Sequence, residues 1–383
     1  MNVLFLMIAF PDIKKITNFY SDLPEKFREK KHNVFVANLL EKKYNRATYL
    51  EEVKGINVLW IRSGDWFNTN SVIKKGLTAV TISNCFSKAI QKYFNDTKFD
   101  LVIYFTPPIT FVPVIKHIKR RNECKSYLIL RDIFPQGIRD LGLLNNQLLY
   151  NYFRKKEKQL YDLSDYIGCM SYGNIKYVLK HNNVDENKLE ILLNWEKITC
   201  DNESIGVNYR KKYGLGNKFI AVFGGNIGLP QELEFLLELA KEYKERDDIV
   251  FLIVGKGAEK QRMINIVKSE KLSNTIIKDM MQRDEYDSLL KQCNVGLINL
   301  NRKFTIPNIP SKTAAYFKAS IPILASTDKN TDYKDLLLKE ARAGLWSETG
   351  DLKTYKNNFE KLFKSKELRE ELGNNGRKYF ENN

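Results

Sequence analysis

The sequence predicts an α/β protein made of two Rossmann-like, doubly wound domains, and three observations lead to this prediction. The chain has 383 residues, more than the roughly 250–300 that one hydrophobic core usually holds. Short apolar runs alternate with amphipathic segments along it, as in βαβ units with parallel strands. A polar stretch without hydrophobic periodicity, residues 196–217, separates two such series.

The predicted strands form one series on each side of that polar stretch. Each is a short apolar run, as expected for strands covered on both faces of a parallel sheet. The first series comprises residues 3–8, 34–37, 58–61, 101–105, 127–130, 166–169 and 189–193. The second comprises residues 219–223, 249–254, 275–277, 295–298 and 323–325.

Helical patterns lie between most of these strands. Residues 16–31 place Phe19, Leu23 and Phe27 at a spacing of four, which gives one apolar stripe with charges opposite. Residues 354–380 predict two helices separated near Ser365. We therefore expect domains at residues 1–195 and 196–364, followed by a terminal helix at residues 365–383.

The positive charge is concentrated in the first half of the chain. The net charge is +16, and residues 1–190 carry +11 of it. Basic runs at residues 26–31, 116–121 and 154–158 predict docking on an anionic membrane surface, with a solvated lysine-rich surface as the alternative. We expect exposed aromatic residues to insert into the lipid, with Trp66, Phe67 and Phe86 as candidates, and core packing is the favoured alternative for at least one of the three. Basic and aromatic residues do not alternate as in nucleic-acid-binding modules, so we expect no nucleic-acid partner.

The sequence predicts a cytoplasmic protein whose membrane contact is peripheral, at the inner face of the plasma membrane. It contains no apolar run of about 18 residues, and its first residues lack the basic segment and cleavage site of a signal peptide. The five cysteines are widely spaced and form no CxxC pair, which favours reduced thiols. The three histidines lie far apart, so we expect no metal site and no cofactor.

Glycine-rich turns after two strands of the second series indicate a diphosphate site. The first turn, GGNIGLPQ, contains Gly225, Asn226, Ile227, Gly228 and Gln231. Glycines between a strand and a helix let backbone N–H groups approach a phosphate, and the helix dipole favours the anion. A turn that needs glycine for steric reasons alone is the alternative. The second turn, VGKG, contains Gly255 and Gly257, and its glycines are also explained by turn geometry.

The segment IPNIPSKTAAYF indicates a cation at the start of a helix. Pro310 fits the first turn, Ser311 can cap it, and Lys312 and Thr313 offer an ammonium group and a hydroxyl beside free N–H groups. An anion bound there would gain charge-assisted hydrogen bonds. An ordinary capped helix that packs through its aromatic residues is the alternative.

The order of motifs resembles glycosyltransferase family 4, and in particular its bacterial O-antigen and capsule branch with L-fucosaminyltransferase-like enzymes. Nearly the whole chain takes part. The motifs of the first half are TPPIT, RDIFPQ, YDLSDYIGCMS and the asparagine at position 194. Those of the second half are GGNIGLPQ, VGKG, EYDSLLKQCNVGLI, PSKTAAY, IPILA, AGLW and GNNGRKYF.

The resemblance implies a GT-B fold, with two Rossmann-like domains facing a central cleft. Residues 1–195 would bind the acceptor and residues 196–364 the nucleotide sugar, with the terminal helix packing back toward the first domain. It further implies retaining transfer of a hexose, N-acetylated or deoxygenated, from a nucleoside diphosphate, with uridine the commonest base in the family. The acceptor would be a saccharide on a polyprenyl diphosphate carrier, used in surface polysaccharide synthesis.

The sequence departs from the family pattern at several positions. The usual glycine pair after the first strand is replaced by FPDIKKITNFY. The paired glutamates of the family fall on Pro307 and Ala315, and the Arg and Lys of many members fall on Asn226 and Gln231. Sugar recognition would therefore rest on other groups, such as Asn308, Ser311 or Lys312.

These residues predict a mechanism without a divalent ion. Negative charge grows on the leaving diphosphate, and Lys312, Ser311 and the backbone of residues 226–228 would stabilise it. Asp132, which follows a buried strand beside Arg131, is the candidate for orienting the acceptor or acting as a general base. An N-cap or a salt bridge with Arg131 is the alternative role of Asp132.

Two further groups of positions complete the predicted site. Met281 and Arg283 are additional candidates for donor binding, and Thr106, Pro107, Phe134 and Ser171 are candidates for acceptor binding. Two other functions stay open at this point: a nucleotide-sugar epimerase or hydrolase of the same fold, and an inactive partner subunit of a transferase.

Overall fold

The computed structural model describes residues 1–66, 72–197 and 206–383. The chain divides into two compact units, Met1–Leu193 and Asn194–Asn383. The sequence places the domain boundary after residue 195, two residues beyond the boundary between the two compact units of the structure.

The first unit contains an eight-stranded sheet in the order β3-β4-β2-β1-β5-β6-β7-β8. All neighbouring strands are parallel except β3 and β4. The strands are β1 (Asn2–Met7), β2 (Asn33–Glu41), β3 (Tyr49–Val53), β4 (Ile56–Ser63), β5 (Leu101–Phe105), β6 (Lys125–Leu130), β7 (Tyr166–Cys169) and β8 (Leu189–Ile191). The apolar runs of the sequence thus form the strands that they predict, and the edge strand β8 is the one of these that is only partly buried.

Helices connect these strands in the first unit. They are α1 (Phe19–Glu29), α2 (Val72–Tyr93), α3 (Val112–Asn122), α4 (Gln136–Asp140), α5 (Gln147–Leu163) and α6 (Tyr172–His181), with 3-10 turns at Lys42–Tyr44, Ile109–Phe111 and Glu186–Lys188. Helix α1 begins after Asn18, whose side chain accepts hydrogen bonds from the backbone N–H groups of Tyr20 and Ser21. This cap explains why the helix starts later than the apolar periodicity suggests.

The second unit contains a six-stranded sheet in the order β11-β10-β9-β12-β13-β14. Every pair of neighbours is parallel. The strands are β9 (Phe219–Asn226), β10 (Ile249–Lys256), β11 (Thr275–Lys278), β12 (Val295–Asn299), β13 (Ile323–Thr327) and β14 (Gly344–Glu348). The predicted α/β class with two doubly wound domains is therefore confirmed.

The helices of the second unit follow the same alternation. They are α7 (Tyr209–Lys212), α8 (Leu233–Lys241), α9 (Lys260–Ser269), α10 (Arg283–Leu290), α11 (Lys312–Lys318), α12 (Tyr333–Asp335), α13 (Leu352–Lys364) and α14 (Lys366–Asn382), with a 3-10 turn at Leu229–Gln231 and a π-helical turn at Leu336–Glu340. Ser365 separates the last two helices and caps α14 by accepting the N–H of Leu368 at 3.0 Å. The predicted break near this serine is confirmed.

The order of strands reverses once in each sheet. In the first sheet, the strands that follow β1 in the chain are added on one side of the β1–β5 pair, and those that follow β5 on the other side. The β9–β12 pair is the corresponding point of the second sheet. At such a switch point the loops after the two strands diverge to opposite faces and leave a crevice at the carboxyl ends of the strands. The crevice of the second sheet is flanked by the turn after β9 and by the segment that leads from β12 to α11.

The terminal helix α14 packs within the second unit. The Cβ that an alanine would place at Gly373 would lie 2.2 Å from the backbone oxygen of Ser320, and one at Gly376 would lie 2.7 Å from the Phe317 ring. Arg377 donates a hydrogen bond to the backbone oxygen of Lys318 at 2.6 Å. The helix is thus fixed against the end of α11, and packing toward the first domain stays a prediction.

The aromatic residues proposed for lipid insertion are placed differently. Phe86 is fully buried in the core of the first unit, and Trp66 packs partly against the same core, while Phe67 lies outside the described residues. Phe86 was therefore wrong as an insertion candidate, because its apolar ring completes the core between α2 and its neighbours. No helix in the described parts of the chain is long and apolar enough to span a membrane.

Candidate functional site

Two glycine turns meet backbone to backbone at the carboxyl ends of β9 and β10, beside the switch point of the second sheet. Gly225 and Gly255 are register partners on β9 and β10, and a Cβ at Gly255 would lie 1.9 Å from the backbone oxygen of Gly225. A Cβ at Gly257 would lie 2.1 Å from the backbone oxygen of Ile227, whose N–H donates to Lys256 at 2.8 Å. Gly255 and Gly257 therefore let the second turn support the first, and their contact with a donor stays a prediction.

The first turn has room for a ligand above Gly225. This residue has φ +119°, in the region that favours glycine, and the nearest atom to a Cβ placed there would be Cε of Lys312, at 3.6 Å. A 3-10 turn at Leu229–Gln231 follows the glycines, and α8 begins at Leu233. The turn and the lysine-bearing segment thus converge as predicted from the sequence.

Lys312 is the central side chain of this crevice. Its Nζ lies 4.3 Å from the centroid of the Phe223 ring on β9, a distance at which an ammonium group is attracted to the face of the ring. Restricted hydration lowers the pKa of Lys312 to about 8, because burial disfavours the charged form. Among the described residues it forms no ion pair with a carboxylate. An anion bound at the Gly225 turn would supply the negative charge that pairs with this ammonium group.

The residues next to Lys312 mainly form the loop and the start of α11, and few of their polar groups are available to a ligand. Ser311 is exposed and forms no side-chain cap, because its backbone is already helical, so the predicted cap was wrong. The Thr313 hydroxyl is buried and pairs with the hydroxyl of Tyr333 at 2.9 Å. The backbone oxygen of Pro310 accepts the N–H of Thr313 at 3.1 Å.

Tyr316 fixes α11 to the sheet through its hydroxyl, whereas the sequence indicated only that its ring packs. Its hydroxyl accepts the N–H of Gly224 at 3.2 Å and lies 3.1 Å and 3.2 Å from the backbone oxygens of Val222 and Leu297. A phenol has one proton, so it donates to one of these oxygens at a time. Tyr316 therefore holds the helix that carries Lys312 in register with the glycine turn, one helical turn from the lysine.

Asn226 and Gln231 occupy positions that are basic in many members of the resembled family. The Asn226 amide donates to Oε1 of Gln231 at 3.1 Å, so the two side chains brace the turn between β9 and α8. Asn308 lies in the loop before α11, where the Thr331 hydroxyl accepts its N–H at 3.2 Å and donates to its oxygen at 2.8 Å. Pro307 and Ala315 stand where the resembled family has its paired glutamates, and neither has a carboxylate.

Arg283 belongs to a group of four charged side chains that are largely buried. It forms an ion pair with Glu196, which also lies 3.5 Å from Lys318, and Lys318 contacts Asp287 at 2.6 Å. All four are at least four-fifths buried. Met281 is partly buried just before α10. A donor contact of Met281 or Arg283 stays a prediction, and the structure gives Arg283 a role in anchoring residue 196.

The candidate acceptor residues of the first unit gather at the carboxyl edge of its sheet. The buried Thr106 hydroxyl, directly after β5, accepts the N–H groups of Arg131 and Asp132 at 3.1 Å and 3.3 Å. The Arg131 guanidinium stacks on Phe19 at 3.8 Å and approaches Tyr20 at 5.7 Å. Thr106 thus positions the backbone of both residues, and the aromatic rings of α1 position the guanidinium.

Asp132 has neither of the two structural roles considered for it. Helix α4 is preceded by Pro135 at its N-cap position, and among the described residues Asp132 forms no ion pair with Arg131. Its side chain reaches solvent, yet the protein atoms packed around the carboxyl restrict its hydration and raise its pKa, and Arg131 opposes that rise. The carboxylate is therefore available to accept a proton or a hydrogen bond.

Phe134 and Ser171 have identifiable structural partners. The Phe134 ring contacts that of Phe153 edge to face at 5.1 Å. The Ser171 hydroxyl caps α6 by accepting the N–H of Asn174 at 3.2 Å. Pro107 follows Thr106 in the same loop. Their contact with an acceptor stays a prediction.

No three His, Cys, Asp or Glu side chains come together as a metal site within the part of the chain that the structure describes. Cys85, Cys124, Cys169 and Cys293 are free thiols, and Cys200 lies outside the described residues. A reaction without a metal therefore stays an expectation from the sequence.

The Tyr316 hydroxyl is expected to stabilise the site measurably. Tyr316→Phe removes the partner of the buried Gly224 N–H and should lower the free energy of unfolding by about 1–3 kcal/mol. Tyr355→Phe is the matched control, because that buried hydroxyl makes a single long contact of 3.5 Å with Asn299. Urea unfolding checks this, and equal midpoints for the two variants would contradict the role of Tyr316.

Sequence comparisons relate the chain to glycosyltransferases. Residues 207–379 match the family Glycosyl transferases group 1. The chain is 21% identical over 280 residues to the "Probable glycosyltransferase WbjE" of Pseudomonas aeruginosa, which covers 70% of this chain and 67% of that protein. A shorter stretch of 96 residues is 31% identical to WcaI of Escherichia coli, named for colanic acid biosynthesis, and covers 25% of this chain and 23% of WcaI.

Solved structures of similar fold cover the whole chain. The crystal structure of Anabaena HepE in complex with UDP has a TM-score of 0.69 and 11% identity, and covers 100% of this chain and 95% of that one. Sucrose-phosphate synthase of Thermosynechococcus elongatus has a TM-score of 0.76 and 13% identity, with 100% and 94% covered. The architecture is therefore the GT-B fold, and residues 207–379 of its second unit are similar to group 1 glycosyltransferases.

Proposed function

We propose that this protein transfers a sugar from a nucleoside diphosphate, with uridine as the base, to a lipid-linked saccharide in bacterial surface polysaccharide synthesis. One observation carries the proposal: the Lys312 ammonium lies beside the Gly225 turn at the switch point of the second sheet without a carboxylate partner among the described residues. Negative charge develops on the leaving diphosphate during glycosyl transfer, and a preorganised cation there stabilises it.

The base and the acceptor are supported by proteins of similar fold and sequence. HepE and the trehalose-6-phosphate protein of Escherichia coli are described with UDP and UDP-2-fluoro glucose. WaaG, with a TM-score of 0.68, is described as involved in lipopolysaccharide biosynthesis. These likenesses support a uridine nucleotide and a saccharide acceptor at the membrane. Retention of configuration and an N-acetylated or deoxygenated hexose extend the proposal by resemblance.

The two units have separate tasks in this proposal. In the second unit, Lys312 and the backbone N–H groups of Asn226 and Gly228 bind the diphosphate, and Asn308 contacts the sugar in place of the glutamates of the resembled family. The N–H of Ile227 takes no part, because it already donates to the backbone oxygen of Lys256. In the first unit, Arg131 and Asp132 contact the acceptor, with the Asp132 carboxylate orienting or deprotonating the attacking hydroxyl. A raised pKa brings this carboxyl closer to the range in which a general base works at neutral pH.

A screen of nucleoside diphosphates and their sugars by thermal shift tests the donor class, because a bound ligand raises the apparent stability. UDP and a UDP-sugar should give the largest shift. A larger shift with another base would contradict the uridine assignment, and no shift with any nucleotide would favour an inactive subunit. Turnover of the donor without an acceptor would instead favour an epimerase or hydrolase.

Binding of UDP should depend on pH through Lys312. Lysine is charged below its pKa, so the cationic fraction falls as pH rises through about 8, and UDP should bind more weakly above that pH. Lys312→Gln should weaken binding about tenfold to hundredfold near pH 7 and remove this pH dependence. Lys312→Arg should keep its charge across the range.

Calorimetric titration of each variant with UDP checks this prediction. Lys268→Gln is the matched control, because this exposed lysine is in the last turn of α9 and so lies toward the opposite edge of the sheet from the glycine turns. An unchanged pH profile in Lys312→Gln would remove Lys312 from nucleotide binding.

Asp132→Asn should slow sugar transfer by about a hundredfold, the usual contribution of a general base, and leave UDP affinity unchanged. Release of the nucleoside diphosphate in the presence of acceptor measures the rate. The control Asp162→Asn changes an exposed carboxylate in the last turn of α5 and should have no effect. A rate within about threefold of the unsubstituted protein would exclude Asp132 from catalysis.

A further inference from the structure

The start of α5 presents an apolar face that nothing in the described structure covers. Leu148 is 81% exposed, and Leu143, Leu149 and Tyr152 are 49%, 44% and 39% exposed. These four residues, here called the α5 patch, lie within ten positions of one another. Isolated exposed hydrophobic residues are common, but adjacent ones indicate an interaction surface.

Unpaired lysines follow the α5 patch on the same helix. Lys155 and Lys158 are exposed, Lys156 lies 5.7 Å from the Tyr152 ring, and none of the three forms an ion pair among the described residues. Position 155 follows Leu148 by seven and position 158 follows Lys155 by three, so both lie on the exposed face that begins at Leu148. Apolar side chains beside cations are the combination that binds an anionic lipid surface.

The other basic runs lack this combination. On α3, Lys119 is occupied by an ion pair with Asp165 at 2.6 Å, and on α1 Lys26 pairs with Glu29 at 3.0 Å. Neither helix contains a large hydrophobic residue that is exposed among the described residues. Even on α5, Arg154 is turned inward to pair with Glu157. The observations therefore single out the α5 patch and its lysines.

The α5 patch also adjoins the residues assigned to the acceptor. The Tyr150 hydroxyl donates to Oε1 of Gln136 at 2.7 Å, and Phe153 contacts the Phe134 ring at 5.1 Å. The buried side of the first turns of α5 thus packs on the segment that continues from Asp132. A lipid surface at the α5 patch would lie next to this segment.

We propose that the α5 patch and Lys155, Lys156 and Lys158 dock the protein on an anionic lipid bilayer and so bring a lipid-linked acceptor to Asp132. This inference rests on the proposed function. Leu148 and Leu149 enter the acyl boundary, and the lysines contact the headgroup phosphates. Each inserted leucine contributes about a tenfold gain in partitioning, and each lysine about fivefold at low salt.

Sedimentation with vesicles tests the proposal, using phosphatidylcholine vesicles with and without phosphatidylglycerol. The full chain should bind only the anionic vesicles. Leu148→Asp with Leu149→Asp should reduce binding at least about tenfold and leave a salt-sensitive remainder. Lys155→Gln with Lys156→Gln should reduce binding at low salt and lose most of its effect at high salt.

Tyr44→Asp is the matched control and should bind like the unsubstituted chain. Tyr44 is 56% exposed and lies just after β2. In the sheet, β1 and β5 lie between β2 and the β6–β7 pair, and α5 is the helix that connects β6 to β7. Equal binding of the leucine variant and this control would overturn the proposal. A second result would also overturn it: the unsubstituted chain is a dimer in sedimentation velocity, and the leucine substitutions dissociate the dimer without changing vesicle binding. A second copy of the chain would then cover the α5 patch.

UDP binding separates this inference from the proposed function. The leucine variant should keep the UDP affinity of the unsubstituted chain, which also shows that it is folded. A protein that binds UDP but no anionic vesicle contradicts the docking surface alone. A protein that binds vesicles through the α5 patch but no nucleotide contradicts the proposed function and leaves the docking surface standing.

Discussion

The partly desolvated ammonium group of Lys312 is the feature on which the chemistry of the second unit depends. Removing a cation from water is unfavourable unless a partner compensates it. In the described structure the Phe223 ring supplies part of that compensation, and no carboxylate contributes. The same restricted hydration that lowers the pKa of the lysine strengthens its attraction for an anion, because charges interact more strongly where water is excluded.

The rest of the second unit holds this lysine in place by backbone packing. Because Gly255 has no side chain, the backbone of β10 can contact the Gly225 carbonyl oxygen. The Tyr316 hydroxyl joins α11 to β9 and β12, the strands on the two sides of the switch point. The position of Lys312 is therefore set by the sheet rather than by flexible side chains. Preorganised groups of this kind stabilise developing charge without reorganising during the reaction.

The sequence predicted the architecture well because apolar runs and their spacing report burial directly. The edge strands β3 and β14 were not predicted, since Tyr49–Val53 alternates exposed and buried positions and Gly344–Glu348 is short and partly polar. The convergence of Gly225 with Lys312 followed from parallel topology. The pairing of Arg283 with Glu196, the Tyr316 contacts and the stacking of Arg131 on Phe19 join residues far apart in the chain, and no local pattern reveals such contacts.

A crystal structure of the protein with UDP would show whether Lys312 and the Gly225 turn together hold the diphosphate. We expect the β-phosphate over the Gly225 turn, within hydrogen-bond distance of the backbone N–H groups of Asn226 and Gly228 and of the Lys312 ammonium group, which would move off the Phe223 ring. The N–H of Ile227 is already donated to the backbone oxygen of Lys256. A nucleotide bound away from this turn, or a phosphate that Lys312 does not contact, would contradict it.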